Sequence, residues 1–191
     1  TKKPTENNAG TKTYTCIICG QTKIEQIKAT EKKNSKKQDN PSNTKNLTLK
    51  PGTKITDKSS AAIYKVTGKN TVEYVKSSSK KTTIVIPESI TAKKIKYHVS
   101  SIAANAFKGN KQLKCVVISS SIKKIGTQAF FKCKNLKKIT IKTPYLSKKT
   151  VGAKAFKGIH AKAKIKVPKK QKKAYQKLLK AKGAGKKVTI K

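Results

Sequence analysis

Cys16 and Cys19, in the run Cys-Ile-Ile-Cys-Gly, are the first residues whose types and spacing could do chemistry. The spacing is that of a metal knuckle, but tetrahedral zinc takes four ligands and no second C-x-x-C exists in the chain. The two histidines, His98 and His160, lie far downstream. Three readings of the pair stay open: an exposed dithiol or local disulfide, one half of a site completed by a motif outside the chain, and a zinc site within it. A redox pair would want a strand-to-helix setting, which Ile17-Ile18 followed by polar residues does not supply. No metal or cofactor is expected, with Cys16 and Cys19 the weak candidate ligands.

Catalytic tools are scarce. The seven acids are Glu6, Glu25, Glu31, Asp39, Asp57, Glu73 and Glu88, so residues 89–191 hold 30 lysines and no carboxylate side chain. Acid–base catalysis commonly pairs histidine with a carboxylate, and glycoside hydrolysis uses two carboxylates. No G-x-S-x-G, phosphate loop or dinucleotide fingerprint occurs. A nucleophilic Cys115 would need a histidine and an orienting partner that the sequence does not suggest. The expectation is a chain that is not an enzyme.

What the sequence has in abundance is positive charge. All 48 basic residues of the 191 are lysine, against 7 acids, for a formal charge of +41. Such a field draws polyanions, within a screening length of about 8 Å at physiological salt. Nucleic acid, anionic membranes, teichoic acids and sulfated or sialylated glycans are the candidate partners. Specific nucleic-acid readout is disfavoured, because guanine recognition leans on the planar fork of arginine and the chain has none. The plainer reading is a solubilising lysine surface. No apolar run approaches the length that spans a bilayer. The chain opens at Thr1 without methionine or a signal-like stretch, and is expected to be a fragment or a processed product.

A repeat organises the second half. SIAANAFKGNKQLKCVVIS from Ser101, KIGTQAFFKCKNLKKITIK from Lys124 and TVGAKAFKGI from Thr150 align. Ile102, Ile125 and Val151 match, as do Ala106, Ala129 and Ala155, and Phe107, Phe130 and Phe156, at spacings of 23 and 26 residues. Leu113, Val116, Ile118, Ile122 and Ile125 give an L-x-x-L-x-L pattern with two further inward positions; Leu136, Ile139 and Ile141 repeat it, and Ile165 and Val167 close it. Each unit reads as one short strand with alternate residues inward, followed by a compact return. No unit buries its apolar face alone, so the units must stack, with the three Phe rings in the core.

IGTQAFFKCKNLKKITI, from Ile125 to Ile141, resembles the I-G-x-x-A-F-x-x-C-x-x-L-x-x-I-x-I core of the BspA-type leucine-rich repeat family. Flanking units depart from it: Ala103 stands at the glycine, and Asn110 and Ile159 at the cysteine. The stretch from Val151 to Gly183 is similar to the ending of lysine-rich surface proteins that carry these repeats, and C-x-x-C-G resembles a short motif of bacterial surface proteins. The resemblance, over residues 55–191, implies an extracellular protein of the bacterial cell surface or cell wall, engaged in adhesion or ligand binding. It also places Cys133 at the family's inward cysteine position, a buried thiol. Cys115 should face outward, since Val116 and Ile118 face in, and on a different side of the coil from Cys133.

Four regions follow. Residues 1–29 form a small C-x-x-C-G hairpin module, and 30–54, polar with Pro41 and Pro51, a flexible linker. Residues 55–191 form the repeat domain, with repeats at about 101–167. There, 61–75 read as a hairpin turning at Thr67-Gly68-Lys69-Asn70, which with TTIVIP at 82–87 makes an N-terminal β cap. Pro168 opens a helix with Ala174, Tyr175, Leu178 and Leu179 as its apolar stripe and Gly183 as its stop. This helix and a strand at 188–190 form the C-terminal cap, residues 168–191; a basic membrane-surface helix is the alternative. The fold class is thus α+β, a short leucine-rich-repeat solenoid with a β-hairpin cap and a helix–strand cap.

From the register, Cys115 and Val117, Lys138 and Thr140, and Lys164 and Lys166 point outward on the presumed concave strands. These are the candidate ligand-binding residues, lysines meeting anionic groups as point charges; solvated strand positions are the alternative. The expected partner is a host or cell-wall macromolecule, an anionic glycan or teichoic acid among the candidates. The rival function is a purely structural cap of a longer surface protein.

Overall fold

A computed structural model describes residues 10–15, 22–27, 48–78 and 80–191. Two units, Thr1–Lys45 and Asn46–Lys191, are treated separately. In the first, β1 (Gly10–Thr15) pairs antiparallel with β2 (Thr22–Ile27). Cys16, Cys19 and the expected linker up to residue 47 lie outside the described residues.

In the second unit the polar run ends earlier than residue 54. Gly52 N–H donates to the Val66 carbonyl at 2.8 Å, and Leu49 N–H to the Tyr97 hydroxyl at 2.9 Å, so these residues belong to the folded unit. β3 (Lys54–Asp57), β4 (Ala62–Gly68) and β5 (Thr71–Ser77) form an antiparallel meander turning at Lys69-Asn70. β6 (Thr83–Ile86) follows, then β7 (Ser89–Ala92) and β8 (Ile95–Ile102), a hairpin that turns at Lys93 and Lys94 with φ of 48° and 63°. β9 (Cys115–Ile118), β10 (Lys124–Ile125), β11 (Lys138–Ile141) and β12 (Lys164–Lys166) come from the repeats. A 3-10 turn at Lys169–Gln171 leads into α1 (Lys172–Ala181), and β13 (Thr189–Ile190) ends the order.

Two sheets organise this unit. One runs β10-β8-β5-β4-β3, with β7 against β8. The other is all parallel, in the order β13-β12-β11-β9-β6. The grouping of 82–87 with the hairpin is therefore corrected: β6 pairs with β9, as the first strand of the repeat sheet. Thr-Ile-Val-Ile alternates like any half-buried strand, and only its partner tells which sheet it joins.

The core is a set of ladders running from coil to coil. Phe107, Phe130 and Phe156 are buried and stack in parallel, with centroids 5.1 and 5.5 Å apart. Tyr74 of β5 extends the stack, 5.2 Å from Phe107, and Tyr64 closes it edge-on at 5.4 Å. Offset or edge-to-face rings at such separations each add about 1 kcal/mol beyond the area they bury. Backbone bonds knit the turns: Phe107 N–H donates to Ala129 O, and Phe130 N–H to Ala155 O.

The repeat glycines serve two different needs. Gly126 and Gly152 lie against the coil before them, where a Cβ on Gly126 would stand 2.2 Å from Ala104 N. Ala103 keeps its methyl because the strand beside it is β5, whose Tyr74 carbonyl accepts from Ala103 N–H at 2.8 Å, rather than another tight turn. Two residues after each Phe the chain is left-handed, at Gly109 (φ 71°), Lys132 (φ 56°) and Gly158 (φ 79°).

Helix α1 starts without an acid in its first turn and without a side-chain cap, so burial holds it rather than dipole chemistry. Tyr175, Leu178 and Leu179 are its buried face, whereas Ala174, expected in that stripe, is exposed. The helix ends as a Schellman turn: Ala184 N–H donates to Leu179 O and Gly183 N–H to Lys180 O, with Gly183 at φ 99°. Tyr175 ties the helix down, donating to the Thr143 carbonyl at 2.7 Å and accepting from Leu146 N–H at 3.0 Å. The 26-residue spacing finds its reason there, because the longer return at 143–150 buries Thr143 and Leu146 under the helix.

Two predictions follow from these contacts. Gly126→Ala should cost about 3 kcal/mol in urea unfolding, as overpacking against backbone. Gly109→Ala, with nothing within 4 Å of the new methyl, should cost only about 1 kcal/mol of left-handed strain; equal losses would contradict the close-approach argument. Tyr175→Phe should lose about 2 kcal/mol, since it leaves a buried N–H and a buried carbonyl unpaired.

Candidate functional site

Side chains of the parallel sheet alternate strictly. Ile84, Ile86, Val116, Ile118, Ile139 and Ile141 are buried, as are Ile165, Val167 and Ile190. The intervening residues form two rows on the outer face. Register aligns Thr83, Cys115, Lys138, Lys164 and Thr189 in one row, and Val85, Val117, Thr140 and Lys166 in the other. All six expected ligand-binding residues thus lie on one face.

The face is graded. Its β6–β9 end is uncharged, with Val85 61% exposed and Cys115 and Val117 half-buried. The β11–β13 end is cationic. Lys138 and Lys164 are neighbours across adjacent strands, about 4.8 Å apart at the backbone. Lys191, following Ile190, falls beside Lys166. An open groove of about 440 Å³ lies there, ringed by Lys138, Lys164, Lys166, Lys169 and Lys191. Like charges placed opposite on a sheet repel, and no carboxylate side chain occurs beyond Glu88 in sequence. The groove therefore gathers Lys138, Lys164 and Lys166, while Cys115 and Val117 stand apart on β9. Lys169 and Lys191 escaped the sequence reading because they lie past residue 167, where that reading ended the repeats; an alternating Thr-Ile-Lys at the end was the available signal for Lys191.

The remaining reactive groups are scattered. Cys115 and Cys133 are both free thiols. Cys133 is fully buried, its Sγ donating to the Phe107 carbonyl at 2.8 Å, and burial pushes its pKa up to about 11. In the first unit of the alignment Asn110 holds the equivalent position and works differently: its Oδ1 accepts from Gln112 and Leu113 N–H at 2.8 and 3.0 Å. His98 is exposed on β8, and His160 Nδ1 accepts from Lys162 N–H at 3.2 Å. Among the described residues no three of His, Cys, Asp and Glu cluster as metal ligands, and no helix is long and apolar enough to cross a membrane.

Comparison with known proteins fits this architecture. Residues 78–191 match the family described as BspA type leucine rich repeat region, in six copies, so the repeat extends on both sides of 101–167. No curated protein matches the chain. Among solved structures, a leucine rich cell surface protein from Faecalibacterium prausnitzii A2-165 is 23% identical, with a TM-score of 0.48, over 61% of this chain and 37% of that one. A leucine-rich repeat protein from Bacteroides ovatus is 26% identical, with a TM-score of 0.44, over 56% and 34%. Another, from Bacteroides capillosus, is 16% identical, with a TM-score of 0.48, over 72% and 98%. The chain thus spans little more than a third of the first two proteins. With three-fifths of its length in the repeat match, and a five-stranded parallel sheet built within that stretch, the chain belongs to the BspA-type leucine-rich repeat family.

Proposed function

We propose that this chain is a non-catalytic binding module of the bacterial cell surface, whose lysine groove on the parallel sheet takes an anionic polymer such as a wall teichoic acid or an acidic host glycan. One observation carries the reading: Lys138, Lys164, Lys166 and Lys191 gather on and beside adjacent strands in a stretch, residues 89–191, that holds no carboxylate side chain. A polymer that supplies phosphate or carboxylate at that spacing removes mutual repulsion as it binds. In this reading the β3–β5 meander is the N-terminal cap, and α1 with β13 the C-terminal one. The burial of Tyr175, Leu178 and Leu179 over the last coil supports the second assignment. The first rests on Tyr74, which continues the Phe stack.

A second reading is that the chain is a structural terminal element of a longer surface protein. The small cationic area favours it, since the β6–β9 half of the face carries no charge.

Titration against wall teichoic acid, heparin, a sialylated glycan and DNA at low and high salt tests the proposal. One polymer should be preferred and partly retained at high salt. Lys138→Glu with Lys164→Glu should weaken that binding roughly tenfold or more, beyond the effect of the same charge reversal at Lys108 and Lys123. Equal losses from both pairs, or weak binding to everything that vanishes with salt, would leave only diffuse attraction and favour the structural reading.

A further inference from the structure

The parallel sheet stops one coil short. The coil that precedes β6 contributes β5 to the other sheet and Tyr74 to the ring stack, but no described strand pairs with β6 on its outer side. The Thr82 carbonyl accepts from Cys115 N–H at 3.0 Å, so alternate residues Thr82, Ile84 and Ile86 direct their amide groups toward β9. Thr83 and Val85 therefore direct their N–H and C=O groups to the open edge. Val85 is also one of two large apolar side chains exposed in the described residues.

A cavity of about 210 Å³ lies along that edge, between β6 and the root of the β4–β5 hairpin, lined by Ile84, Ala62, Ser60, Ser77 and Tyr74 among others. Tyr74 is 1% exposed and lines this cavity, and its buried hydroxyl has no hydrogen-bond partner. Ser77 lies near enough to oppose the rise in the phenol's pKa that burial causes, yet no bond of proper geometry forms between them. The Ser77 hydroxyl instead faces the Ser60 and Ala61 carbonyls, each at 3.3 Å. A buried hydroxyl left without a partner costs about 1–3 kcal/mol, and a ligand offering an acceptor would recover it.

We propose that β6 is the docking edge for an extended peptide that adds as a sixth parallel strand, bonding to Thr83 and Val85 and placing a hydroxyl or amide side chain against Tyr74. For a guest parallel to the strands already in this sheet, the charges at the two ends of β6 set the order of its own charges. Lys80 and Lys81 precede the strand and Glu88 follows it. A parallel guest brings its first residues beside the lysines and its last beside Glu88, so it is acidic at its N-terminal end. Strand addition of this kind takes affinity from main-chain bonds and selectivity from alternate side chains. This edge is distinct from the lysine groove, which lies on β11 to β13.

The test uses the full chain and synthetic peptides of alternating threonine and valine, carrying Asp-Glu at the N-terminus and Lys at the C-terminus, in both registers. Controls are a charge-reversed set and a set N-methylated on alternate amides. In the free protein, the Thr83 and Val85 amides should exchange with solvent quickly and those of Ile84 and Ile86 slowly, and peptide should protect the first pair. N-methylation and Val85→Pro should each weaken binding roughly tenfold. The Pro variant should keep the Ile84 and Ile86 amides protected, because the lost N–H points away from β9. Tyr74→Phe should leave the melting temperature unchanged or raised, and should weaken only peptides whose threonine faces the cavity. If no peptide of either register binds, the proposal fails. It also fails if binding survives both N-methylation and Val85→Pro; loss on Lys138→Glu with Lys164→Glu would then assign the attraction to the lysine groove.

Discussion

How closely one coil approaches the next decides everything else in this fold. Strands of a sheet sit about 4.8 Å apart, and the rings of Tyr74, Phe107, Phe130 and Phe156 stack at 5.1 to 5.5 Å, nearly the same step. The two match only because the returning turns, which have no side-chain layer between them, can touch backbone to backbone at Gly126 and Gly152. A methyl there would separate the turns and unstack the rings. The left-handed residues Asn105, Gln128 and Lys154, each two before its Phe, belong to the same constraint: they turn the chain so that the ring points inward. Side chains with a Cβ accept that geometry at a cost because the stack on either side leaves no alternative.

Sequence reasoning reached this core because a coil repeats its needs. The Ile-Gly-x-x-Ala-Phe pattern has a spacing, so the buried Phe, Ala and Leu positions and the inward strand residues could be read from it. So could the outer face, since alternation fixes both sides of a strand once one is known. The first coil was harder. Tyr74 does the work of a repeat Phe, but it lies in an alternating hairpin and carries none of the flanking residues that mark the others. β7 and β8 turn at Lys93-Lys94, two left-handed lysines in place of the Asn-Gly or Asp-Gly that signals such a turn. β6 was legible as a strand but not as a member of the repeat sheet, because pairing partners are not written in a single strand.

The candidate groove divides in the same way. Lys138, Lys164 and Lys166 follow from the repeat register, whereas Lys169 and Lys191 enter it through the path of the chain after β12. Charge alone could not have singled them out among 48 lysines. What distinguishes this cluster is adjacency without a counter-charge: neighbouring strands hold Lys138 and Lys164 in register, whereas Lys65, in register with Lys54, pairs with Glu73 at 3.7 Å. The same register leaves the uncharged half of the face, around Val85 and Val117, chemically different from the rest.

The bonds between coils have one further consequence, for how the molecule bears load. Lys138 N–H to Lys114 O, Lys164 N–H to Lys137 O and Phe130 N–H to Ala155 O all run along the axis on which the coils are stacked. Tension along that axis opens one coil boundary at a time, so the protein yields in small steps. Tension along the strands must instead slide a whole boundary at once, breaking its rungs together. The stack is therefore compliant in one direction and stiff across it, and the direction in which it is held determines how much pull it withstands.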